Sequence, residues 1–321
     1  GRIAFQRVMG QPAFSRRVLL SAAAAAGAAI SLPFGAESKE STTMDKKDME
    51  GIRHYEFGNV TVTSISDGTR AQDPGLSLAS KERIEELVRQ SCQTPDTLEH
   101  YVNVFHIKSG RRSVVIDTGY GIGKGLALTR LFSEVKPTTI TDVLITHCHP
   151  DHISGLTHNG EAAFPKAKVW VPKTDYEFFT GESVPEETRK ATAEFFAPYE
   201  EAGHLKLIDK AETLFGDFSA EFHPGHTPGH AFFVLDTEQG EIVFAGDVAH
   251  VAAVQFADPT ISARYDMDPK RAAAERIDLF TELAESTHLL AGGHLPFPGI
   301  GRVRKFGSGF EFLTLPYRDR L

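Results

Sequence analysis

Four side chains that can bind a metal ion lie within six residues of one another: His147, His149, Asp151 and His152. They belong to the stretch Thr146 to Leu156, T-H-C-H-P-D-H-I-S-G-L, which follows the apolar run 143–145. That run predicts a strand, on which alternate side chains share a face, so the first two histidines point together and Cys148 points away. Pro150 then turns the chain and directs the other two ligands towards a second point. Imidazoles with a carboxylate suit zinc and its first-row neighbours, so the two sub-clusters predict two metal ions.

Three later segments each end a strand-like run with further candidate ligands. Residues 223–230 read H-P-G-H-T-P-G-H, in which Pro-Gly pairs predict tight turns and three histidines compete for a ligand role. Residues 243–247 read V-F-A-G-D, an apolar strand that ends in a carboxylate able to join two cations. Residues 289–294 read L-L-A-G-G-H, whose glycines let the backbone approach closely. Candidate ligands therefore come from four separate parts of the chain.

The spacing HxHxDH, followed in order by these three segments, resembles the metallo-β-lactamase superfamily over about residues 60 to 300. The resemblance implies that one metal ion is held by His147, His149 and His226, the other by Asp151, His152 and His294, and that Asp247 bridges both. Asp117, at a predicted strand tip, can bind metal or orient a ligand; the resemblance favours the second role, and gives His230 a supporting role too. The implied cofactors are two divalent metal ions, zinc first, with manganese, cobalt and iron as alternatives.

The order of the predicted elements indicates the fold class. Two groups of strands, each followed by helices, favour two sheets packed face to face with helices outside. The resemblance implies the same α+β architecture, an αββα sandwich of two mixed β-sheets flanked by helices, with the metal ions at one edge between the sheets. Among the elements, we expect one strand over 55–66, helices over 185–201 and from Asp268 to about 286, and Tyr176, Phe178 and Phe179 on a loop.

The first 36 residues differ from the rest of the chain. Arg16 and Arg17 follow Ser15 and precede Val18-Leu19-Leu20 and an alanine-rich run, an arrangement typical of an export signal. It resembles a twin-arginine signal peptide, so we expect residues 1–36 to direct export to the periplasm; a disordered alanine-rich tail is the alternative. The run is shorter than the roughly 20 residues that span a bilayer, so no stable membrane anchor is expected. Residues 37–50 are predicted to be a linker and residues 51–321 a single hydrolase domain.

Composition narrows the class of partner. The 321-residue chain has a formal charge of −9 and no Lys/Arg run outside its N-terminus, which argues against nucleic acid or an anionic membrane surface. Its two cysteines, Cys92 and Cys148, exclude a disulfide framework. We therefore expect a small-molecule substrate. The relatives that the resemblance implies are dimers, so a homodimer is the expected assembly.

The predicted site indicates a hydrolase. A water held between two divalent cations is acidified, and the same cations polarise a carbonyl or phosphoryl oxygen, so esters, lactones, amides, thioesters and phosphoesters are all candidate substrates. The string after Asp247, V-A-H-V-A-A-V-Q-F-A-D-P, resembles the branch that contains methyl parathion hydrolase and dihydrocoumarin-type lactonases. It implies hydrolysis of lactones or aryl esters by a metal-bridging hydroxide, with promiscuous phosphotriesterase activity. A methyl-parathion-type organophosphate hydrolase is the alternative.

Four further residues are candidates for contact with the substrate. His250 stands three residues after Asp247 and completes the predicted catalytic pair, since it can donate a hydrogen bond to a lactone oxygen or protonate the leaving alkoxide; packing beneath the site is the alternative. Phe179, Phe196 and Tyr120 are candidates for an apolar substrate wall, with ordinary core packing as the alternative.

Three other interpretations use the same motif. A glyoxalase-II-like thioester hydrolase shares THxHxDH, but the V-A-H-V-A-A-V-Q-F run disfavours it. An iron-bearing oxidoreductase of a related fold usually carries glutamate in place of the second motif histidine, so His149 disfavours it. A binding protein on a decayed scaffold is disfavoured because every ligand is present.

Overall fold

Two seven-stranded β-sheets organise the computed structural model, which describes residues 51–316. The first sheet begins with four antiparallel strands: β1 (Ile52–Phe57), β2 (Val60–Ala71), β3 (Glu99–Ser109) and β4 (Arg112–Ile116). Strand β5 (Asp142–Leu144) lies parallel to β4. After a separate hairpin of β6 (Thr157–His158) and β7 (Glu161–Ala162), the sheet is completed by β8 (Lys168–Pro172) and β9 (Leu205–Ile208), both parallel to their neighbours. This sheet is therefore mixed.

The second sheet is also mixed and follows chain order. Its strands are β10 (Glu212–Phe215), β11 (Phe218–Phe222), β12 (Ala231–Leu235), β13 (Ile242–Phe244), β14 (Leu289–Ala291), β15 (Ile300–Phe306) and β16 (Gly309–Thr314). Neighbouring strands are antiparallel except for β13 and β14, which are parallel. The 17-residue helix between β13 and β14 provides the crossover that a parallel pair needs.

Seven α-helices lie within residues 51–316: α1 (Lys81–Gln90), α2 (Ala127–Glu134), α3 (Pro150–Ile153), α4 (Lys173–Thr180), α5 (Glu186–Glu201), α6 (Ala252–Gln255) and α7 (Pro269–Glu285). Two of the longer ones have side-chain N-caps, since Ser80 accepts a hydrogen bond from Arg83 N and Asp268 accepts one from Arg271 N. In this part of the chain, no helix combines the length and apolarity that crossing a membrane would require.

Strand alternation divides the core into three layers. Val114 and Ile116 of β4 face the second sheet and join the central cluster, where the Phe105 and Phe244 rings meet at 5.3 Å. Val115, between them, faces the opposite way and packs in a cluster with residues of α2, α4 and α5. On the outer face of the second sheet, a third cluster joins β12, β13 and β14 to α7. The predicted αββα sandwich of two mixed sheets is confirmed.

Two local predictions were wrong. The single strand expected over 55–66 is a hairpin of β1 and β2, because the chain turns at Gly58 with a φ of 65°, which glycine adopts at little cost. Tyr176, Phe178 and Phe179 lie on helix α4, not on a loop. Pro172 precedes this segment and Gly181 follows it, and both residues are common at helix boundaries. The aromatic residues between them led to the prediction of a loop.

The predicted signal peptide, residues 1–36, and the predicted linker, residues 37–50, lie outside the described residues. The described residues all belong to one compact unit of the chain.

Candidate metal centre

Strand direction brings the candidate ligands to one edge of the sandwich. In the first sheet, parallel β4 and β5 end just before Asp117 and residues 146–152. In the second sheet, β11 runs in the same direction as β13 and β14, because β12 is antiparallel to both β11 and β13. The loops after these three strands carry His226, Asp247 and His294. The edge between the sheets is therefore where all seven candidate ligands meet.

The first group of donor atoms, which we call position 1, comprises His147, His149, His226 and Asp247. Their ligand atoms all lie within 4.8 Å of one another. Nδ1 of His149 lies 3.0 Å from Nε2 of both other histidines. Oδ2 of Asp247 lies 3.1 Å from Nε2 of His226 and 3.5 Å from Nε2 of His147. Three imidazole nitrogens around one carboxylate oxygen form a donor set of the kind that zinc uses.

The second group, position 2, comprises Asp151, His152, His294 and again Asp247. Nε2 of His294 lies 3.3 Å from Oδ2 of Asp151 and 3.1 Å from Oδ2 of Asp247. Nε2 of His152 lies 3.0 Å from Oδ1 of Asp247. Asp247 thus faces both positions, one oxygen being shared between them and the other turned towards position 2.

Oδ1 of Asp247 and Nε2 of His152 lie 3.0 Å apart at this shared carboxylate, but neither buried atom forms a hydrogen bond of acceptable geometry within residues 51–316. A buried polar atom left unpaired costs about 1–3 kcal/mol. Both atoms belong to the groups whose chemistry and spacing suit divalent cations. The residues present therefore fit a two-metal centre, and a bound cation would satisfy both atoms.

Asp117 holds His152 from behind. Its Oδ2 accepts a hydrogen bond from Nδ1 of His152 at 2.7 Å and another from the Thr146 hydroxyl at 2.8 Å, while Oδ1 accepts one from Thr146 N at 2.8 Å. Asp117 has a φ of 55°, in the left-handed region that aspartate tolerates better than most residues. These bonds fix the tautomer of His152 with Nε2 directed towards Asp247.

Asp266 plays the corresponding part for His226. Its Oδ1 lies 2.9 Å from Nδ1 of His226, and its Oδ2 accepts a hydrogen bond from Ala263 N. Arg276 lies behind it, fully buried, with Nη2 3.6 Å from Oδ2. The guanidinium also donates to the carbonyls of Val248, Pro259 and Ile261. A buried cation thus supports the carboxylate that orients a candidate ligand.

Asp175, on α4, joins the two ligand-bearing loops of position 1. Its Oδ2 accepts a hydrogen bond from Cys148 N at 2.7 Å and its Oδ1 one from Gly229 N at 2.8 Å. The Cys148 side chain itself packs in the apolar cluster behind the first sheet, and burial raises the pKa of its thiol well above the ordinary value. The Cys148 side chain therefore belongs to the core. Its backbone N–H is one of the two groups that Asp175 joins, an arrangement that we call the Asp175 clamp.

His230 lies beneath the shared carboxylate. Its Nε2 accepts a hydrogen bond from Asp247 N at 3.1 Å. The preceding residue, Gly246, has a φ of 47°, and a Cβ there would lie 2.7 Å from Nε2 of His230 and 2.8 Å from the Thr146 hydroxyl. Glycine is therefore required for the close approach that places Asp247. His223, the third histidine of its segment, instead bonds Glu275 and stacks on Phe232.

Burial keeps two of the position 1 imidazoles neutral. Burial and the neighbouring His152 lower the pKa of His147 well below its ordinary value. Burial and His226 lower the pKa of His149 to about 3. Because metal ions bind the unprotonated imidazole, these two ligands need no proton removed.

The centre of the cluster is charged in the metal-free chain. Burial on its own would lower the pKa of His152, but Asp247 and Asp117 outweigh it and raise that pKa well above its ordinary value. Burial likewise opposes ionisation of Asp247, yet His152 and His294 hold the pKa of Asp247 well below its ordinary value. A metal at position 2 must therefore displace a proton that the metal-free protein holds.

His250 contacts the shared carboxylate. Its Nε2 lies 3.1 Å from Oδ2 of Asp247, and burial lowers its pKa, so the imidazole is neutral. Its backbone N–H donates to Oε1 of Gln255 at 2.7 Å, which fixes the turn on which it stands. Nδ1 of His250 is buried without a hydrogen-bond partner in the described range. His250 thus lies in the centre itself, in contact with the carboxylate that faces both positions.

The three candidates for a substrate wall lie in different environments. Phe196 has 0% exposed surface and packs in the cluster behind the first sheet, so the structure assigns it to the core, the alternative given above. Phe179 is also nearly buried, but its ring lies 5.4 Å from that of His149. Tyr120 is half-buried and lines a cavity of about 380 Å³ that also borders His100 and Leu126.

Sequence reasoning missed three carboxylate or imidazole groups at the centre: Asp175, Asp266 and His100. Asp175 is 27 residues from Cys148, from whose backbone N–H it accepts a hydrogen bond, and Asp266 is 40 residues from His226, whose imidazole it orients. His100 belongs to a strand pattern and is brought close to Asp151 and His294 by sheet packing. None of the three has a motif of its own, so only the fold reveals them.

Sequence comparisons relate the chain to hydrolases of several kinds. It is 30% identical over 205 residues to a ribonuclease of Thermus thermophilus, a match that covers 59% of this chain and 47% of the relative. It is 28% identical over 174 residues to an atrochrysone carboxyl ACP thioesterase of Aspergillus novofumigatus, covering 53% and 46% of the two proteins. The chain spans about half the length of these curated relatives.

Solved structures align over more of the chain. Hydrolase AbOPH, of the beta lactamase superfamily, has a TM-score of 0.77 at 29% identity and covers 84% of this chain and 99% of its own. AidC, a dizinc quorum-quenching lactonase solved with a product, N-hexanoyl-L-homoserine, has a TM-score of 0.76 at 22% identity and covers 85% and 100%. At 22% identity, the similarity to AidC is evidence of a shared fold alone.

The model of one protein family, the metallo-beta-lactamase superfamily, matches the part of the chain that contains the whole centre. It matches residues 98–294, more than half of the 321-residue chain, and this range includes all seven candidate ligands. The expected resemblance is confirmed: the chain belongs to the metallo-β-lactamase superfamily.

Proposed function

We propose that this metal-dependent hydrolase opens lactones and cleaves aryl esters at a two-metal centre. The observation that carries the proposal is the pair of donor sets that share Asp247, with His250 in contact with the shared oxygen. Neither feature needs a serine or cysteine nucleophile. The attack on the substrate is therefore assigned to a water molecule, and the chain's own residues position the reacting groups and donate hydrogen bonds to them.

When bound, two divalent cations would acidify a water molecule and polarise the scissile carbonyl. Asp247 would hold the two positions at a fixed separation, because its carboxylate faces both. His152 and His226, each fixed from behind by a buried carboxylate, would keep their Nε2 atoms aimed at the centre. Rigid donors of this kind lose little freedom when the substrate reacts.

His250 is the proposed hydrogen-bond donor to the leaving oxygen. As a neutral imidazole whose Nε2 faces Asp247, it can carry its proton on Nε2 and stabilise a developing negative charge within the centre by a hydrogen bond. An alkoxide or phenoxide that departs next to the shared carboxylate would meet this N–H. Lactones and aryl esters produce such a leaving group, so a histidine at this point suits them.

The open side of the centre offers room for the rest of the substrate. Tyr265 is 44% exposed, and its ring lies 5.5 Å from that of His250. Tyr120 lines a cavity of about 380 Å³ that also borders His100. Aromatic surface near a metal centre suits a substrate with an apolar ring or chain.

The relatives support a hydrolytic reaction and leave the substrate open. AidC is described as a lactonase, which agrees with the proposal, but its identity to this chain is 22%. The Aspergillus relative is a thioesterase at 28% identity, so thioesters belong in the test. Phosphotriester hydrolysis remains the runner-up, on the resemblance of the string after Asp247 alone.

A substrate panel tests the proposal. Protein reconstituted separately with zinc, manganese and cobalt would be assayed for kcat/KM on dihydrocoumarin, an acyl-homoserine lactone, phenyl acetate, an acyl thioester and methyl parathion. We expect the lactones and the aryl ester to give the highest values. A protein that turns over methyl parathion or the thioester with at least tenfold higher kcat/KM than any lactone or aryl ester would contradict the proposal.

We also propose that residues 1–36 direct export of the folded, metal-loaded protein to the periplasm. The support is the Arg16-Arg17 pair before an apolar, alanine-rich run. Expression with a C-terminal epitope and cell fractionation would test this. Replacing both arginines with lysine should retain the protein in the cytoplasm, and periplasmic recovery of that variant would contradict the proposal.

A further inference from the structure

One imidazole outside the superfamily ligand set lies against position 2. The ring centroid of His100 is 4.4 Å from that of His294, and the rings are tilted by 32°. A nitrogen of His100 lies within 4.8 Å of the ligand atoms of both Asp151 and His294. His100 belongs to β3, and the next residue, Tyr101, accepts a hydrogen bond from Nδ1 of His294 at 2.6 Å. The two histidines are therefore held side by side by one strand.

The same strand is anchored to the loop of His294. Asn103 donates its backbone N–H to Gly293 O at 2.8 Å, and its side-chain amide donates to Gly292 O and Leu295 O at 3.1 and 2.7 Å. These bonds fix β3 relative to residues 292–295. These hydrogen bonds therefore fix the backbone of His100 relative to position 2.

Gln72 determines which nitrogen of His100 is available. Its buried amide donates from Nε2 to Asp73 O at 3.1 Å, so Oε1 is the atom that faces Nδ1 of His100, also at 3.1 Å. An amide oxygen can only accept, so Nδ1 of the neutral ring carries the proton. Nε2 of His100 is left with its lone pair.

This arrangement matches that of the other histidines of the centre. His152 places Nδ1 on Asp117, His226 on Asp266 and His294 on the Tyr101 carbonyl, and each presents Nε2 to the centre. Metal-binding histidines usually donate their second N–H to a carboxylate or carbonyl oxygen, which fixes the tautomer and the ring. His100, with Nδ1 on an amide oxygen, has the same environment.

We propose that His100 is a fifth protein ligand at position 2, held in its metal-binding tautomer by Gln72. The proposal rests on the two-metal function argued above and extends it to the choice of metal. With Asp151, His152, His294 and Asp247, position 2 then offers five protein donors. Structural and catalytic zinc sites commonly use three or four, whereas manganese, cobalt and iron accept six. Position 2 therefore selects a metal of higher coordination number than position 1.

Cobalt is the probe that tests this inference, because its visible absorption weakens as its coordination number rises. The full-length protein, His100→Ala, Gln72→Leu and Gln72→Glu would be titrated with Co²⁺ against a chromophoric chelator, with metal counted by mass spectrometry. The exposed His158, outside the centre, provides the matched control His158→Ala. Circular dichroism and the thermal midpoint of the metal-free proteins would establish that each variant folds.

We expect His100→Ala to raise the Kd of one of the two cobalt ions by about 10- to 100-fold and to increase the absorption of that ion. Gln72→Leu should raise the same Kd by a smaller factor, and Gln72→Glu, which keeps an acceptor, should bind like the parent protein. If the parent protein binds two cobalt ions and His100→Ala matches it and His158→Ala in both Kd and spectrum, His100 is not a ligand. A changed KM with unchanged metal binding would equally overturn the inference and make His100 a substrate contact at the mouth of the cavity. If the parent protein itself fails to bind two ions, the two-metal function fails as well.

Discussion

The two sheets contribute to the metal centre in different ways. The first sheet supplies four ligands from a single stretch, residues 147–152, directly after β5. The second sheet supplies three ligands, each after a different strand: His226, Asp247 and His294. The first contribution is local in the chain, whereas the second depends on the order of strands in a sheet.

Each metal position nevertheless takes donors from both sheets. Position 1 combines His147 and His149 with His226, and position 2 combines Asp151 and His152 with His294. Neither sheet can therefore complete a position alone. Because an ion at either position would join the two halves of the sandwich, we expect metal binding and sheet packing to be coupled.

Asp247→Asn is the change with the largest expected effect, because it removes the one charge that both positions share. We expect loss of bound metal from both positions and a fall in kcat/KM of about a thousandfold or more, roughly 4 kcal/mol of transition-state stabilisation. Metal content and steady-state kinetics would measure both. Asp278→Asn, at an exposed position of α7, is the matched control. A variant that keeps two ions and full activity would show that the two positions are independent.

Removal of metal should destabilise the fold itself. With metal at 100 to 1,000 times its Kd, each of the two ions contributes about 3–4 kcal/mol to the free energy of unfolding, and the loss of both should lower the thermal midpoint by about 20 °C. Calorimetry with and without a chelator would measure the shift. The same chelator should have little effect on Asp247→Asn. An unchanged midpoint in the parent protein would mean that the sheets pack without help from the ions.

The same contrast explains which parts of the site could be predicted from the sequence. The stretch 147–152 was predictable from the residues, since alternation along an extended backbone places His147 and His149 together and the turn at Pro150 separates them from Asp151 and His152, although the strand itself ends at Leu144. The ligands of the second sheet required family resemblance, which selected His226 among three nearby histidines. Asp175 and Asp266 could not be predicted, because their partners lie 27 and 40 residues away and no local pattern marks them.

The fold was predictable at the level of layers. Apolar alternation and the order of strands and helices specified two sheets with helices outside, and this prediction is confirmed. Local errors arose where one feature masked another: the Gly58 turn inside an alternating pattern, and an aromatic-rich helix, α4, taken for a loop. His100 shows the same limit, since a strand histidine becomes a candidate ligand only through its packing against position 2.

His250→Leu tests the role of the residue that contacts the shared carboxylate. We expect kcat/KM for dihydrocoumarin to fall about 100-fold, because the proposed hydrogen-bond donor to the leaving oxygen is removed. Methyl parathion has a leaving group that needs less protonation, so its kcat/KM should fall less. Steady-state rates on both substrates measure the difference. Equal losses on the two substrates would assign His250 to packing beneath the centre.

Asp175→Asn would test the clamp that joins the loop of the first sheet to that of the second. The amide replaces one acceptor by a donor, so either Cys148 N or Gly229 N loses its partner. An unpaired buried N–H costs about 1–3 kcal/mol, and we expect the free energy of unfolding to fall by that amount. Urea denaturation of the metal-free protein, with Asp278→Asn as control, measures it. Unchanged stability would indicate that the loops hold each other without the clamp.

Asp266→Asn should have the smallest effect on metal binding, because Asp266 contacts only one ligand, His226 of position 1. Burial alone would lower the pKa of His226, but Asp247 and Asp266 raise it to about 9. A proton on His226 competes with metal, so the affinity of position 1 should rise as the pH increases from 7 towards 9. Removing the Asp266 charge should lower the pKa of His226 and shift this rise to lower pH. After correction for the protonated fraction of His226 at each pH, the loss of orientation should weaken metal binding by about tenfold, or about 1.4 kcal/mol. Cobalt titrations across pH would separate the two effects, and a profile identical to that of the parent protein would show that position 1 does not depend on the buried Asp266–Arg276 support.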